Sequence, residues 1–154
     1  MIVFFAGLVI GMAITIASIF ILVPGKMFIV QESRYGVEQT VAELEKTATE
    51  MKWGVPHKYD LQATLKGKGF EVGPVMVMSI CNPALANVIL SSNDEKLVSA
   101  MMPCRVSVYE SNGKTYVSML NAKLLSGLLG KKSKNVMTEA SNGSEMIVSS
   151  VAVK

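Results

Sequence analysis

The sequence has few of the side chains on which most metal and redox chemistry depends. It contains two cysteines, Cys81 and Cys104, and one histidine, His57, among 154 residues. Two cysteines are too few for a disulfide framework, and the 22 residues between them fit neither a CxxC pair nor a zinc spacing. The single histidine excludes zinc sites built on two histidines, and the lack of CxxCH excludes covalent c-type haem.

Signs of catalysis and of nucleic-acid binding are also scarce. A serine nucleophile has little choice of base in a chain with one histidine, and no glycine-rich phosphate loop is present. The net charge is only +3, and no long basic stripe interleaved with aromatics occurs. We therefore expect neither an enzyme nor a nucleic-acid partner.

Residues 1–23 carry no charged side chain. About 20 apolar residues suffice to cross a ~30 Å hydrocarbon core, and no basic start or small-x-small cleavage site indicates a signal peptide. The composition predicts a single-pass membrane anchor. Lys26 and Arg34 follow it and no basic residue precedes it, a small asymmetry that favours a cytoplasmic domain.

The remaining 131 residues suffice for one compact domain. The predicted organisation is a transmembrane helix (1–23), a linker (24–28), an α+β domain (29–130) and a basic, weakly ordered extension (131–154). Within the domain, periodicity and turn residues predict a strand at 27–33, a helix at 37–51 and a short strand at 55–59. These are followed by a short helix capped by Asp60, a strand at 75–80 covered on both faces and a helix capped by Asn82. A second short helix then runs from a Ser92–Glu95 capping box through Met101, and a hairpin spans 104 to 120. The final stretch, 145–153, fits either a helix or a strand.

The hairpin is the clearest local signal, because Asn112-Gly113 tolerates the positive φ angles of a two-residue turn. Pairing outward from this turn predicts four facing pairs, and parity places Cys104 on the core side. The mixture of strands, helices and a hairpin predicts a two-layer α+β sandwich on a largely antiparallel sheet. The predicted pairs are Val108 with Val117, Val106 with Met119, Tyr109 with Tyr116, and Ser107 with Ser118.

Several segments together resemble a known family. CNP at 81–83 and PCRV at 103–106 are the most telling, supported by the segment 54–60 and the NGK turn. Over residues 29–122 the chain is similar to the domain of unknown function 302 family, also called TT1751-like. The resemblance implies a small α+β domain that tends to dimerise, and it implies no activity. The N-terminal anchor and the stretch LLSGLLGKKSK depart from the family pattern.

Cys81 lies between an apolar strand and a helix that starts at Asn82-Pro83. A thiol at a helix N-terminus has a lowered pKa, which would suit a redox or ligand-binding cysteine. The alternative, which we favour, is a small apolar residue that fills the strand-to-helix corner.

Whether Cys104 lies beside Cys81 depends on how residues 91–94 divide the helical region. For Cys104 we favour core packing, and the alternative is a Cu(I) site that includes Met101 and Met102.

His57 alternates with Val55 and Tyr59, so we expect it at the edge of the core. Noncovalent haem held by His57 or a methionine remains a possible cofactor.

Farther along the chain, one helical face carries four leucines, and three lysines follow it. These residues are Leu124, Leu125, Leu128 and Leu129, then Lys131, Lys132 and Lys134. That helix either rests on anionic lipid or packs its leucines on the sheet, and we favour packing.

The sequence thus favours a membrane-tethered, dimeric, non-enzymatic binding or accessory domain of a membrane complex. Its expected working surface surrounds Cys81, Asn82 and the hairpin, with a contribution from His57. The competing hypothesis is a thiol-redox, soft-metal or haem-handling protein that uses Cys81, with or without Cys104.

Overall fold

The computed structural model describes residues 2–22, 24–127 and 129–153. Its helices and strands alternate as far as residue 111, after which a second strand and then two helices follow, and two short 3-10 helices lie at Pro24–Lys26 and Lys96–Met101. The α-helices are α1 (Ile2–Leu22), α2 (Val37–Glu50), α3 (Leu61–Lys66), α4 (Pro83–Leu90), α5 (Ala122–Ser126) and α6 (Lys131–Ser149). The strands are β1 (Phe28–Glu32), β2 (Gly54–Asp60), β3 (Val75–Cys81), β4 (Cys104–Ser111) and β5 (Lys114–Leu120).

The five strands form one sheet in the order β1-β5-β4-β3-β2, and every neighbouring pair is antiparallel. The predicted α+β class with an antiparallel sheet is therefore confirmed. Helices α2 and α6 bury their apolar stripes on one face of this sheet, because α2 presents Val41 and Leu44 and α6 presents Ile147 and Val148 to the same core. We call this the core face and the other the open face.

The hairpin has the predicted register. Val108 pairs with Val117 and Tyr109 pairs with Tyr116, as do the other two predicted pairs. Asn112 has φ 53° in the turn, a value that asparagine tolerates better than most residues. Because the side-chain period of a strand is two, the valines enter the core and the tyrosines stack on the open face.

The predicted caps of α3 and α4 are both formed. The Asp60 carboxylate accepts a hydrogen bond from the Ala63 amide at 2.8 Å. The Asn82 side-chain oxygen accepts from the amides of Ala84 and Leu85 at 3.0 and 3.2 Å. Each cap satisfies amide hydrogens that have no partner within the helix.

The predicted capping box at Ser92 and Glu95 is wrong. The helix there is a 3-10 helix that begins only at Lys96, with no side-chain cap, and the Ser92 carbonyl accepts from the Glu95 amide instead. The Glu95 carboxylate accepts a hydrogen bond from the Ser133 hydroxyl of α6. Glu95 therefore ties this segment to α6 rather than folding back on its own turn.

Strand β3 was expected to be covered on both faces, and it is fully covered on only one. Met78 and Ile80 are completely buried on the core face, whereas Val75 and Val77 on the open face are half-buried. Ser79 is the buried residue on that face. The apolar run reflects the position of β3 inside the sheet, between β4 and β2, more than a second helical layer.

The expectation that residues 131–154 are weakly ordered is wrong for the described part, 131–153. Residues 131–149 form α6, and residue 152 makes an antiparallel bridge to Ser33 beside β1. Much of the buried face of α6 consists of small residues, among them Ser141, Gly143 and Ser144. Small side chains let the helix lie close to its neighbours, and they also hide the apolar periodicity that would have revealed it.

The single leucine-faced helix expected over 124–129 is also not formed. Helix α5 ends at Ser126, and α6 starts after Gly130, whereas Leu128 lies outside the described residues. Lys131, Lys132 and Lys134 consequently lie in the first turn of α6, exposed, instead of at the end of an amphipathic helix.

The predicted anchor corresponds to α1, and the described side chains along it, among them Phe4, Ile10 and Ile14, are strongly exposed. Taking only the residues that the structure describes, no helix combines the length and the apolarity that a membrane crossing needs.

Candidate binding cleft

A cleft of about 920 Å³ lies at the end of the sheet where β1 and β4 begin and β5 ends. Most of its lining is apolar, and the lining residues come from the open face, from the segment that precedes β4, from α5 and from α6. Its volume falls within the range of small-molecule sites. Its principal apolar lining residues are Phe28, Val77, Met101, Met102, Pro103, Leu120, Ala122, Leu125 and Met137.

The cleft lies beside the chain segment that leaves α1. The Asn121 side chain donates a hydrogen bond to the Lys26 carbonyl at 3.0 Å, and its backbone amide donates to the Met27 carbonyl at 2.8 Å. The Asn121 side-chain oxygen also accepts from the Leu124 amide at 3.3 Å, where it caps α5. One residue therefore fixes the α1–β1 connection against the wall of the cleft.

A row of polar side chains from three neighbouring strands lines the cleft on the open face. Strand pairing places His57 opposite Ser79 and Ser79 opposite Arg105. The Arg105 guanidinium lies 5.1 Å from the centre of the Tyr59 ring, and the His57 and Tyr59 rings stack with centroids 6.0 Å apart. Arg105 is exposed, and within the part of the chain that is described it takes part in none of the ion pairs.

The prediction that His57 lies at the core edge together with Val55 is wrong. The β2–β3 register shifts between Gly54 and His57, which is the signature of a β-bulge. Val55 packs on the core, whereas His57 and Tyr59 line the cleft on the open face. The extra residue in β2 reverses the parity that a simple alternation assumes.

The two cysteines do come together. Cys104 pairs with Ile80, the residue before Cys81, and both cysteines line a cavity of about 30 Å³ together with Met102 and Met137. Both are free thiols, and both are half-buried. As predicted, Cys104 packs against the core. Asn82 lines the same small cavity and caps α4, which positions the start of that helix.

The electrostatic surroundings of Cys81 oppose the reactive-thiol hypothesis. Burial raises the pKa of the Cys81 thiol, whereas the helix N-terminus was expected to lower it. Burial is also the main cause that raises the pKa of Cys104; the Ser144 hydroxyl partly offsets this, and the nearby Cys81 adds to it. A raised pKa leaves less thiolate at neutral pH, and the thiolate is the reactive form.

No cluster of three or more histidine, cysteine or acidic residues suited to a metal ion occurs in residues 2–22, 24–127 and 129–153. A set of side chains with sulfur atoms, which are soft metal ligands, does lie around Cys104. Met101 and Met102 line the main cleft together with Cys104, as the sequence suggested, and Met137 from α6 joins them. The sulfur atoms of this set are thioethers and thiols, which suit Cu(I) rather than zinc.

Sequence reasoning missed Arg105, Tyr59 and Phe28 as lining residues. The position of Arg105 could have been predicted. The hairpin register puts Ser107 and Ser118 on the side away from the core, and Arg105, two residues before Ser107, points to the same side. The contribution of β1 and β2 to the same cleft depends on strand order, which the local pattern does not contain.

Residues 29–151 match the family model described as Domain of unknown function DUF302. The chain belongs to the DUF302 family. A DUF302 relative of solved structure, an uncharacterized conserved protein from Bacillus stearothermophilus, superimposes with a TM-score of 0.74 at 23% sequence identity. The similarity covers 81% of this chain and 98% of the other, and it shows a shared fold. No curated protein matches the chain.

The family match extends beyond the predicted domain boundary at residue 130. It reaches residue 151 and so includes α6, which the structure packs into the core. The C-terminal segment is therefore part of the DUF302 domain, and the stretch first regarded as atypical connects two helices of that domain.

Proposed function

We propose that this DUF302 protein is a membrane-tethered, non-enzymatic binding domain whose ligand occupies the cleft beside the tether. The observation that carries this proposal is the link between α1 and the cleft. The α1–β1 connection is hydrogen-bonded to Asn121, and Asn121 is flanked by the cleft residues Leu120 and Ala122. A ligand site so placed lies next to the surface in which the tether is anchored.

The tether is supported by the chemistry of residues 1–23 taken together, including those outside the described set. The stretch has no charged residue, and at 1.5 Å per residue the 21 residues of α1 span about 32 Å. Along α1, Ile10 and Ile14 are 59% and 62% exposed, which is unfavourable in water for large aliphatic side chains. Lipid contact would remove that cost.

Basic residues near this end of the domain support contact with a membrane surface. Lys26 follows α1, and Lys131, Lys132 and Lys134 occupy the exposed first turn of α6, two turns or fewer before the cleft residue Met137. Each lysine close to an anionic surface is worth about 1 kcal/mol. A cytoplasmic domain, whose leaflet carries anionic lipid, is the orientation that this arrangement favours.

A second copy of the chain is part of the same proposal. Both sheet edges are poorly suited to strand pairing, since β2 carries Pro56 and a bulge, and residues 152–153 bond to the end of β1. The part of the open face around Val30, which is 51% exposed and does not line the cleft, is the surface that we propose for a dimer. Val30→Glu should convert a dimer to a monomer in light scattering, whereas Lys46→Glu on α2 should not.

The tether is tested by carbonate extraction of membranes that contain the full chain. We expect the protein in the carbonate-resistant pellet. The paired substitutions Ile10→Lys and Ile14→Lys should release it, because each charge at the centre of a span costs about 2.5–3.5 kcal/mol. The matched pair Ile10→Ala and Ile14→Ala should stay in the pellet. Full-length protein recovered in the carbonate supernatant would contradict the tether.

A second candidate, soft-metal handling, is favoured by one observation: Cys81, Cys104, Met102 and Met137 line one small cavity. Cu(I) binding would displace thiol protons, and it should be lost in Cys104→Ala. Competition with a chromophoric Cu(I) chelator measures it. Failure to withdraw Cu(I) from the chelator at pH 7 would exclude this candidate.

Haem is the remaining alternative, because His57 lines the large cleft. A haem titration provides the test. A Soret shift that disappears in His57→Ala would favour haem, and a spectrum unchanged from free haem would exclude it.

A further inference from the structure

We propose that the cleft binds a single-chain amphiphile with a carboxylate head, of the fatty-acid type, and that Arg105 contacts the carboxylate. This inference rests on the proposed membrane tether, which places the cleft beside a reservoir of such molecules. It names the ligand class that the lining residues select.

The apolar part of the lining forms a continuous wall at the end of the sheet. Phe28 and Leu120 pair across β1 and β5, and both are exposed, at 57% and 39%. Leu125 of α5 extends the wall toward a smaller apolar cluster, formed by Ile89, Val98, Ala122 and Met137. A flexible hydrocarbon chain fits such a wall because aliphatic and thioether side chains adapt to its shape.

The polar part lies on the open face next to this wall, because Val106 pairs with Met119 and Arg105 therefore falls beside Leu120. Arg105 is flanked through strand pairing by Ser79, and Ser107 and Ser118 form the adjacent pair. These hydroxyls donate hydrogen bonds readily, and all three serines line the cleft. A head group placed here would find a guanidinium and several hydroxyl donors within one site.

The charge of the lining decides between anionic and cationic head groups. Among the described residues that line the cleft, Arg105 is the only one with a formal charge and none is acidic. Its guanidinium is held over the Tyr59 ring and makes none of the ion pairs found in the described part of the chain. An unpaired, oriented guanidinium matches the two oxygens of a carboxylate.

The test uses the full chain in phosphatidylcholine nanodiscs that contain a trace of photoactivatable lipid. Three probes carry the same diazirine-labelled chain: a fatty acid, the corresponding primary alcohol and a phosphatidylglycerol. Cross-linked peptides are identified by mass spectrometry. We expect the fatty acid to label peptides covering 100–107 and 118–125, and the alcohol to label them about tenfold less, the loss expected for a charged hydrogen bond.

Substitutions assign the carboxylate contact. Arg105→Gln should lower fatty-acid labelling of these peptides about tenfold, and Arg105→Lys should restore much of it because the positive charge is retained. Lys46→Gln removes an exposed cation on α2, which packs on the core face and contributes no residue to the cleft lining, and should leave labelling unchanged. Equal labelling in all three variants would overturn the role of Arg105.

The remaining outcomes separate this inference from the tether. If the chain enters the nanodisc but labelling is confined to residues 1–23, the ligand assignment is wrong and the tether stands. If only phosphatidylglycerol labels the cleft, the free carboxylate is the wrong ligand. If the full chain does not enter the nanodisc, the proposed function fails and the ligand assignment fails with it.

Discussion

Gly143 of α6 packs against the Trp53 indole so closely that a Cβ at position 143 would overlap the six-membered ring. Trp53 is buried in the core cluster to which α2, α6 and the sheet all contribute. The absence of a side chain at 143 is what lets α6 lie against the indole. This contact and the burial of Ile147 and Val148 integrate the C-terminal helix into the domain.

We predict that Gly143→Ala destabilises the domain although alanine is the better helix former. The helix propensity gain is about 1 kcal/mol, whereas the overlap with a buried ring forces shifts that cost about 1–3 kcal/mol or more. Urea unfolding measures the difference. Gly127→Ala is the control, because Gly127 also has helical angles and its nearest neighbour to a Cβ is 3.8 Å away. A net gain of stability in Gly143→Ala would contradict the packing.

We predict that Asn121→Ala loosens the connection between α1 and the sheet. The substitution removes the side-chain hydrogen bond to the Lys26 carbonyl and the cap of α5, so amide hydrogen exchange should rise within residues 25–28. Asn82→Ala is the matched control, since it also removes a helix cap worth about 1 kcal/mol. If both variants change exchange in 25–28 equally, Asn121 does not fix the connection.

The thiols should respond to pH in a defined direction. Burial raises the pKa of both above the ordinary 9.0, so the folded protein retains thiol protons that the unfolded chain has lost. Below pH 9 the two states bind the same protons and stability is unaffected; as pH rises above 9 the folded state loses stability. Cys104→Ala should reduce this alkaline loss in urea unfolding.

Maleimide labelling gives an independent reading of the thiols. Native Cys81 and Cys104 should react more slowly at pH 7.5 than a free thiol, because a raised pKa lowers the thiolate fraction. Protein unfolded in urea provides the reference rate. Labelling of native Cys81 faster than this reference would revive the redox hypothesis.

Local chemistry determined which elements were predictable. The hairpin register followed from one turn and strict alternation, and the caps at Asp60 and Asn82 followed from residue type and position. The β2 bulge has no local signature, so the side of His57 was wrong.

Helix α6 was missed for a different reason. Its buried face is built from Ser133, Ser141, Gly143 and Ser144 as well as aliphatic residues, and a hydropathy pattern does not register buried serines. The cleft was predictable only in part because it needs strand order as well as parity. Cys81 and Asn82 lie at the predicted strand–helix corner, but they line the small cavity and not the cleft. Arg105 and Phe28, which do line the cleft, come from strands that only the sheet brings together.

We infer that the cleft end of the sheet faces the membrane. Tryptophan quenching by lipids with a nitroxide on the head group tests it in nanodiscs that hold the full chain. Leu120→Trp and Tyr116→Trp place indoles on the same face of β5, about 14 Å apart along the strand. The unsubstituted chain, whose single tryptophan is buried, gives the background. We predict strong quenching of the indole at 120 and weak quenching at 116. Equal quenching, or stronger quenching at 116, would rule out this orientation of the sheet.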